Sequence, residues 1–271
     1  MSLSWRERVT ALGFGVSGPH GTPLVTRAAT IALIEQAAAL GVGVFDTAPA
    51  YGAGEAERRL GAALPRIGRE RVVVSTKAGL MSHGLAARRR DVSPAGVEAS
   101  LRASLDRLGV EGVDVLFLHG PAPHELSPAL FKTLNDLRAA GAFAALGAAG
   151  RGAELDAVID SDRFDAVMAP VHPFLDPPEI TRLARARAAG LCVFAIETAG
   201  DAAPSMRLPR RPADLYALAK RWRRRGRGRG RVSVEQGLAA ALSRSQAACA
   251  LTTTTRLEHL RTSVRTVLDG R

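Results

Sequence analysis

The sequence predicts a single α/β domain over residues 1–271, folded as a closed (β/α)8 barrel (a TIM barrel). Three observations carry that reading: eight short apolar runs, a helix-like segment after each, and a length of 271 residues against the ~250 residues typical of such barrels. The runs lie at 11–15, 42–46, 72–76, 114–118, 143–147, 165–169, 191–196 and 248–252, several of them rich in valine. Their nearly unbroken hydrophobicity suits strands covered on both faces. Helices are expected at 26–40, 53–64, 94–109, 124–140, 152–160, 178–189, 212–224 and 233–244, with a last one at 256–268. Ser93-Pro94 opens the third helix with proline in its first turn, and Gly41, Gly109, Gly141 and Gly190 stand where a left-handed residue ends a helix. An open doubly wound sheet is the alternative, because Gly13, Gly15 and Gly18 resemble a phosphate-binding turn. Pro19 interrupts that turn, and no acidic residue ends a second strand ~20 residues on.

Composition narrows the function classes. No apolar run approaches the ~20 residues of a membrane helix, and MSLSWRERVT lacks an apolar signal segment, so a cytoplasmic protein is expected. Cys192 and Cys249 fall inside predicted strands and read as two reduced, buried thiols. The formal charge is +11, and of the 37 basic residues only Lys77, Lys132 and Lys220 are lysines. Arg102, Arg107, Arg182, Arg185 and Arg187 are scattered along helices, which reads as compositional bias and not as a binding stripe. The segment 221–231, RWRRRGRGRGR, is expected to be an Arg/Gly-rich surface loop. Such a segment can hold single-stranded nucleic acid, a function ranked last here.

Four polar residues follow three of the apolar runs: Asp46 at the end of 42–46 with Tyr51 in the loop after it, Lys77 after 72–76 and His119 after 114–118. In a barrel the carboxyl ends of the strands share one rim, so a carboxylate, a phenol, an ammonium and an imidazole would meet there. Such a set can protonate an oxygen that gains negative charge. A tyrosine near pKa 10 is a reluctant acid at neutral pH. An ammonium ~4 Å away, at an effective dielectric of ~20, favours the phenolate by about 4 kcal/mol at most. Asp46 would hold Lys77 charged and in place, and His119 would donate to that oxygen. Taken singly, each residue also suits a structural role, as a turn cap, a rim aromatic, a solvated strand end or a packed histidine.

The stretch FDTAPAYGAGEAERRLGAAL (Phe45–Leu64), with TKAG around Lys77 and LFLHGP around His119, resembles the aldo-keto reductase family along essentially the whole chain. The resemblance implies the barrel, a reductase of aldehydes or ketones, a nicotinamide cofactor (NADPH, with NADH possible), no metal, and Asp46, Tyr51, Lys77 and His119 as the catalytic residues. It also implies a small-molecule carbonyl substrate, no membrane, and a monomer or weak oligomer. Cofactor contacts are implied at Gly15, Val16, Ala149, Gly150, Met168, Ile196, Thr253, Thr254, Arg256 and His259.

The cofactor half departs from the family pattern. Ala149 and Gly150 replace Ser-Asn, Met168 replaces glutamine, and Ile196-Glu197 replaces an aromatic followed by serine; Ser263 stands where an asparagine is common. Each lost polar contact weakens binding by ~0.5–1.5 kcal/mol, and Glu197 would repel phosphate unless an arginine neutralises it. A diverged barrel that binds nicotinamide weakly or not at all, acting as a binding or regulatory protein, is therefore the alternative. The short loop Gly120–Glu125 implies an open substrate pocket.

Overall fold

The computed structural model describes residues 3–83, 87–200, 232–243 and 245–269. The expected helix at 212–224 and the arginine loop at 221–231 lie outside them. All eight expected strands form: β1 (Leu12–Gly15), β2 (Val44–Asp46), β3 (Val73–Ala78), β6 (Val113–His119), β7 (Phe143–Ala149), β8 (Ala166–Pro170), β9 (Cys192–Ile196) and β10 (Cys249–Thr252). They pair in parallel and close a barrel in the order β1-β10-β9-β8-β7-β6-β3-β2. A feature not foreseen is an antiparallel hairpin, β4 (Leu80–His83) with β5 (Ala87–Arg90), inserted directly after β3. Its sequence lacks the Asn-Gly type of turn that marks hairpins.

The helices are α1 (Arg27–Ala39), α2 (Glu55–Ile67), α3 (Pro94–Leu108), α4 (Pro128–Ala139), α5 (Asp156–Ile159), α6 (Pro177–Ala188), α7 (Val234–Ser243) and α8 (Leu257–Val264). Several boundaries differ from expectation for local reasons. The α2 helix starts at Glu55 and not at 53, because Gly52, Ala53 and Gly54 all take positive φ. The Ser127 hydroxyl caps Leu130, so α4 begins after a separate 3-10 turn at Pro123–Glu125. The expected helix at 152–160 splits into a 3-10 turn (Gly152–Leu155) and α5, and the last helix ends in a π turn at Arg265–Asp269.

Alternation along the strands separates two cores. Leu12, Phe14, Phe45, Val74, Leu116, Leu118, Leu146, Val167, Val193 and Ala250 face outward beneath the helices. Val44, Val73, Val115, Phe117, Ala145, Ala166, Met168, Phe194, Cys249 and Leu251 fill the barrel interior, and Trp5 and Val9 of the N-terminal segment pack against them. Large and small residues interlock there: a Cβ on Gly147 would lie 2.4 Å from the Phe117 ring. Both cysteines are free and buried in this interior; burial raises Cys192 to about 11 and Cys249 well above its ordinary value. Four of the five arginines named as scattered form ion pairs, Arg102 with Glu98, Arg107 with Glu57, and Arg182 and Arg185 with Asp156, and Arg187 donates to the Ser245 carbonyl.

At the amino-terminal end of the barrel, buried Asp114 joins the N-terminal segment to the sheet. Its carboxylate accepts from Arg8, from Arg69 Nη1 (2.8 Å) and from the Val74 N–H (2.8 Å). Removing it leaves a buried N–H without its acceptor and two guanidinium groups without their counter-charge, held by backbone carbonyls such as Val72 and Gly112. We expect Asp114→Ala to cost about 3 kcal/mol, read as a lower urea midpoint at unchanged slope.

Candidate active site

The interior column changes character toward the carboxyl ends of the strands. On β3, Val73 lies in the apolar fill, and Ser75 and Lys77 follow at two-residue spacing on the same face. Asp46 ends β2 in register with Ser75. Asp46 and Lys77 are 4% and 2% exposed, yet both are fully partnered. Lys77 Nζ donates to Asp46 Oδ1 (2.7 Å) and Oδ2 (2.6 Å) and to the Thr47 carbonyl (3.0 Å), and Ser75 Oγ donates to Asp46 Oδ1 (2.8 Å). Burial works to lower the Lys77 pKa; the Asp46 charge, the Tyr51 phenol and hydrogen bonds to both outweigh it, so the ammonium is held above its ordinary range.

Tyr51 comes to Lys77 from the loop after β2, half-buried, with Lys77 Nζ 5.3 Å from the centre of its ring. Two constraints set its position. First, the loop after β1 crosses it closely: a Cβ on Gly52 (φ +63°) would sit 1.8 Å from the Gly21 carbonyl oxygen, so glycine is required there. Second, Glu57 in the first turn of α2 is fully buried and accepts from Thr76 Oγ1 (2.7 Å) and Arg107 Nε (2.6 Å). Thr76 is the neighbour of Lys77 on β3, so this bond sets the tyrosine loop in register with the lysine strand. Sequence reasoning missed Ser75 and Glu57; the two-residue spacing from Lys77 was a usable signal for Ser75 alone. His119 ends β6, on the interior face by alternation with Val115 and Phe117, and half-buried.

The residues expected to hold a cofactor divide into two groups. Ala149, Met168 and Ile196 belong to or pack on the interior cluster, and Ala149 pairs with Met168 across β7–β8. Gly150 uses its N–H on the Met168 carbonyl (3.0 Å). This wall suits the face of a flat ring, but its side chains offer no hydrogen bond to a carboxamide. Beside it, Arg151 Nη2 meets Glu197 Oε1 at 2.7 Å, with Glu197 at φ +53°. The carboxylate expected to repel phosphate is thus paired, and the pair reaches from the end of β7 to the end of β9, past β8.

The second group lies at the β1–β10 seam. Thr253 Oγ1 donates to the Gly15 carbonyl (3.0 Å) and lies 3.1 Å from Ser17 Oγ. The neighbouring Val16 N–H donates to the Asp46 carbonyl (2.8 Å). Thr254 Oγ1 accepts from the Arg256 N–H (3.2 Å), Arg256 pairs with Glu258 (3.5 Å), and His259 is exposed at the start of α8. Thr253 is exposed too, so hydroxyl, guanidinium and helix N-terminus together suit a phosphate. Ser263 is buried on the inner face of α8 with Leu260 and Val264, away from that opening.

Comparison with known proteins agrees with this architecture. The model of the Aldo/keto reductase family matches residues 11–265, and the chain belongs to that family. It is similar to a D-threo-aldose 1-dehydrogenase of a Pseudomonas species, 34% identical over 171 residues, covering 51% of this chain and 52% of that one. It is also similar to an NADH-specific methylglyoxal reductase of Escherichia coli K12, 31% identical over 144 residues, 49% of this chain and 44% of that one. The matched stretches thus span about half of either relative. Among solved structures, the holo form of an aldo-keto reductase from Bacillus halodurans superposes with TM-score 0.77 at 20% identity, covering 96% of this chain and 87% of that one. A glycerol dehydrogenase from Gluconobacter oxydans superposes with TM-score 0.71 at 22% identity, covering 96% and 86%.

The Asp46–Lys77 pair makes a sharp expectation. With Asp46→Asn the opposing charge is gone and burial dominates, so the Lys77 pKa should fall below its ordinary value. NMR of the lysine side chains can read this, since the chain has just Lys77, Lys132 and Lys220. Stability should drop by about 3–5 kcal/mol. In the unaltered protein the raised lysine stabilises fully at neutral pH, and that contribution is lost as pH climbs past ~10.4 through the folded-state value.

Proposed function

We propose that this protein is an oxidoreductase that reduces an aldehyde or ketone to the alcohol with a nicotinamide cofactor, Tyr51 giving the proton. The observation that carries this reading is the buried Lys77, held between the Asp46 carboxylate and the Tyr51 phenol at the carboxyl ends of the strands. An ammonium fixed there stabilises the phenolate that remains once Tyr51 has given up its proton. His119, at the end of the adjoining β6, supplies an imidazole to orient the carbonyl oxygen and share its developing charge. The hydride comes from the reduced nicotinamide when that cofactor is bound. Tyr51 is then reprotonated through the open rim, and Lys77 stays charged throughout because Asp46 remains beside it.

The ring would lie against Ala149, Met168 and Ile196, and the phosphates beside Ser17, Thr253, Thr254 and Arg256. NADPH is the family's usual cofactor and Arg256 suits its 2′-phosphate; the relative named for NADH makes the second cofactor worth equal trial. The names of the relatives direct a substrate panel to aldoses and methylglyoxal. A second reading, a barrel of the same ancestry that no longer turns over nicotinamide, is favoured by the apolar wall at Ala149, Gly150 and Met168.

Cofactor titration followed by nicotinamide fluorescence separates the two. Micromolar binding of NADPH or NADH supports the reductase; no response at millimolar cofactor supports the second reading. We expect Tyr51→Phe to lower kcat by ~10²–10⁴, followed at 340 nm, while the cofactor Kd stays close to that of the unaltered protein. Full activity in that variant would rule out Tyr51 as the acid.

A further inference from the structure

His20 lies in the loop between β1 and α1, completely buried, its ring packed edge-on against Phe14 with centroids 5.5 Å apart. Its Nε2 is 2.9 Å from the Thr254 carbonyl oxygen. A carbonyl only accepts, so Nε2 carries the proton and the neutral ring leaves Nδ1 as an acceptor. Nδ1 is 3.1 Å from Thr30 Oγ1, which therefore donates to it. The Thr30 hydroxyl in turn accepts from Arg59 Nη1 at 3.3 Å. Arg59 is itself buried on α2, and it also donates to Glu55 (2.9 Å) and to the Val25 (2.7 Å) and Thr22 (3.3 Å) carbonyls.

The donors and acceptors thus form one directed chain, from Arg59 to Thr30 to His20 to the backbone of Thr254. It starts on the helix that follows Tyr51 and ends in the loop after β10, 234 residues from His20 in sequence. Each link satisfies a polar group that burial would otherwise leave wanting. We propose that His20 is a positioning residue, which ties the Thr253–Arg256 loop to the Tyr51 helix and so sets the loop that receives the cofactor's phosphates. This rests on the proposed function, in which that loop holds the phosphate end.

The chain also gives the coupling a pH dependence. Burial lowers the His20 pKa, the Thr254 carbonyl pulls it up, and the nearby Arg59 charge lowers it again. Arg59, paired with Glu55, is the charge that faces the ring from α2; Phe14, Thr30 and the Thr254 carbonyl are its uncharged contacts from β1, α1 and the loop after β10. Protonating Nδ1 removes the acceptor that Thr30 needs and sets a cation beside Arg59. The neutral ring therefore stabilises the fold fully above its unfolded pKa of ~6.5, and that contribution is lost as pH falls through the lower folded value.

The test compares His20→Leu, which has no donor, with His20→Gln, whose amide N–H can reach Thr254 and does not titrate. Cofactor Kd, kcat at saturating cofactor, and hydrogen exchange at 253–258 are measured between pH 5.5 and 8. For the leucine variant we expect Kd to rise about tenfold with little change in kcat, together with faster exchange at 253–258. The glutamine variant should restore Kd, a rescue that a merely space-filling role does not give. Thr30→Val, which breaks the middle link, should act in the same direction and serves if the leucine variant does not fold. Unchanged exchange at 253–258 in the leucine variant, or equal Kd for leucine and glutamine, overturns this inference. Failure of the unaltered protein to bind either cofactor instead overturns the functional reading, while exchange still reports on the His20 link.

Discussion

A lysine that is 2% exposed needs a counter-charge, and in this protein everything near the barrel mouth is arranged around supplying it. Asp46 receives Lys77 with both oxygens, Ser75 satisfies the carboxylate further, and the Thr47 carbonyl also accepts from the ammonium. A buried ion pair of this kind adds little net stability over apolar packing, because desolvating two charges costs several kcal/mol. Its consequence is electrostatic: a permanent cation sits at a fixed place in a poorly screened interior, where it acts on the adjacent phenol far more strongly than it would in water.

The phenol is brought to that cation by packing on the outside of the barrel. Gly21 and Gly52 let two loops cross at backbone distance, and the left-handed run from Gly52 to Gly54 turns the chain sharply into α2. Glu57 then fastens that helix to Thr76 on the lysine strand. Thr76 faces outward and Lys77 inward, so one strand carries both the anchor of the tyrosine helix and the partner of the tyrosine. Rigid elements thereby hold the two side chains in a geometry that a loop alone would not keep.

Opposite this polar cluster the described rim is apolar at Ala149, Met168 and Ile196, and beside it Arg151 pairs with Glu197. Among the described residues of the candidate cofactor region, polar groups gather at the seam between β1 and β10, where Ser17, Thr253, Thr254 and Arg256 lie and where the His20 chain arrives. A cofactor held this way would be fixed mainly at its phosphate end. That balance would make the position of the Thr253–Arg256 loop matter more than it would with side-chain contacts at both ends.

Much of this was legible in the residues. The eight strands were readable because a buried strand is a short unbroken apolar run, and Asp46, Tyr51, Lys77 and His119 were readable because each follows such a run or its loop. Local signals also placed the helix ends at Gly109, Gly141 and Gly190. The β4–β5 hairpin was not readable, since its turn carries no strong signature. Neither were the Glu57–Thr76 bond, the pairing of Glu197 with Arg151, or the chain from Arg59 to Thr254. The periodicity of a strand or helix is a property of neighbouring residues, so the sequence by itself determined the eight barrel strands and the strand ends that carry the four polar groups. Hydrogen bonds between side chains tens to hundreds of residues apart depend on how those elements dock, and so the tertiary structure alone decided which buried polar groups meet.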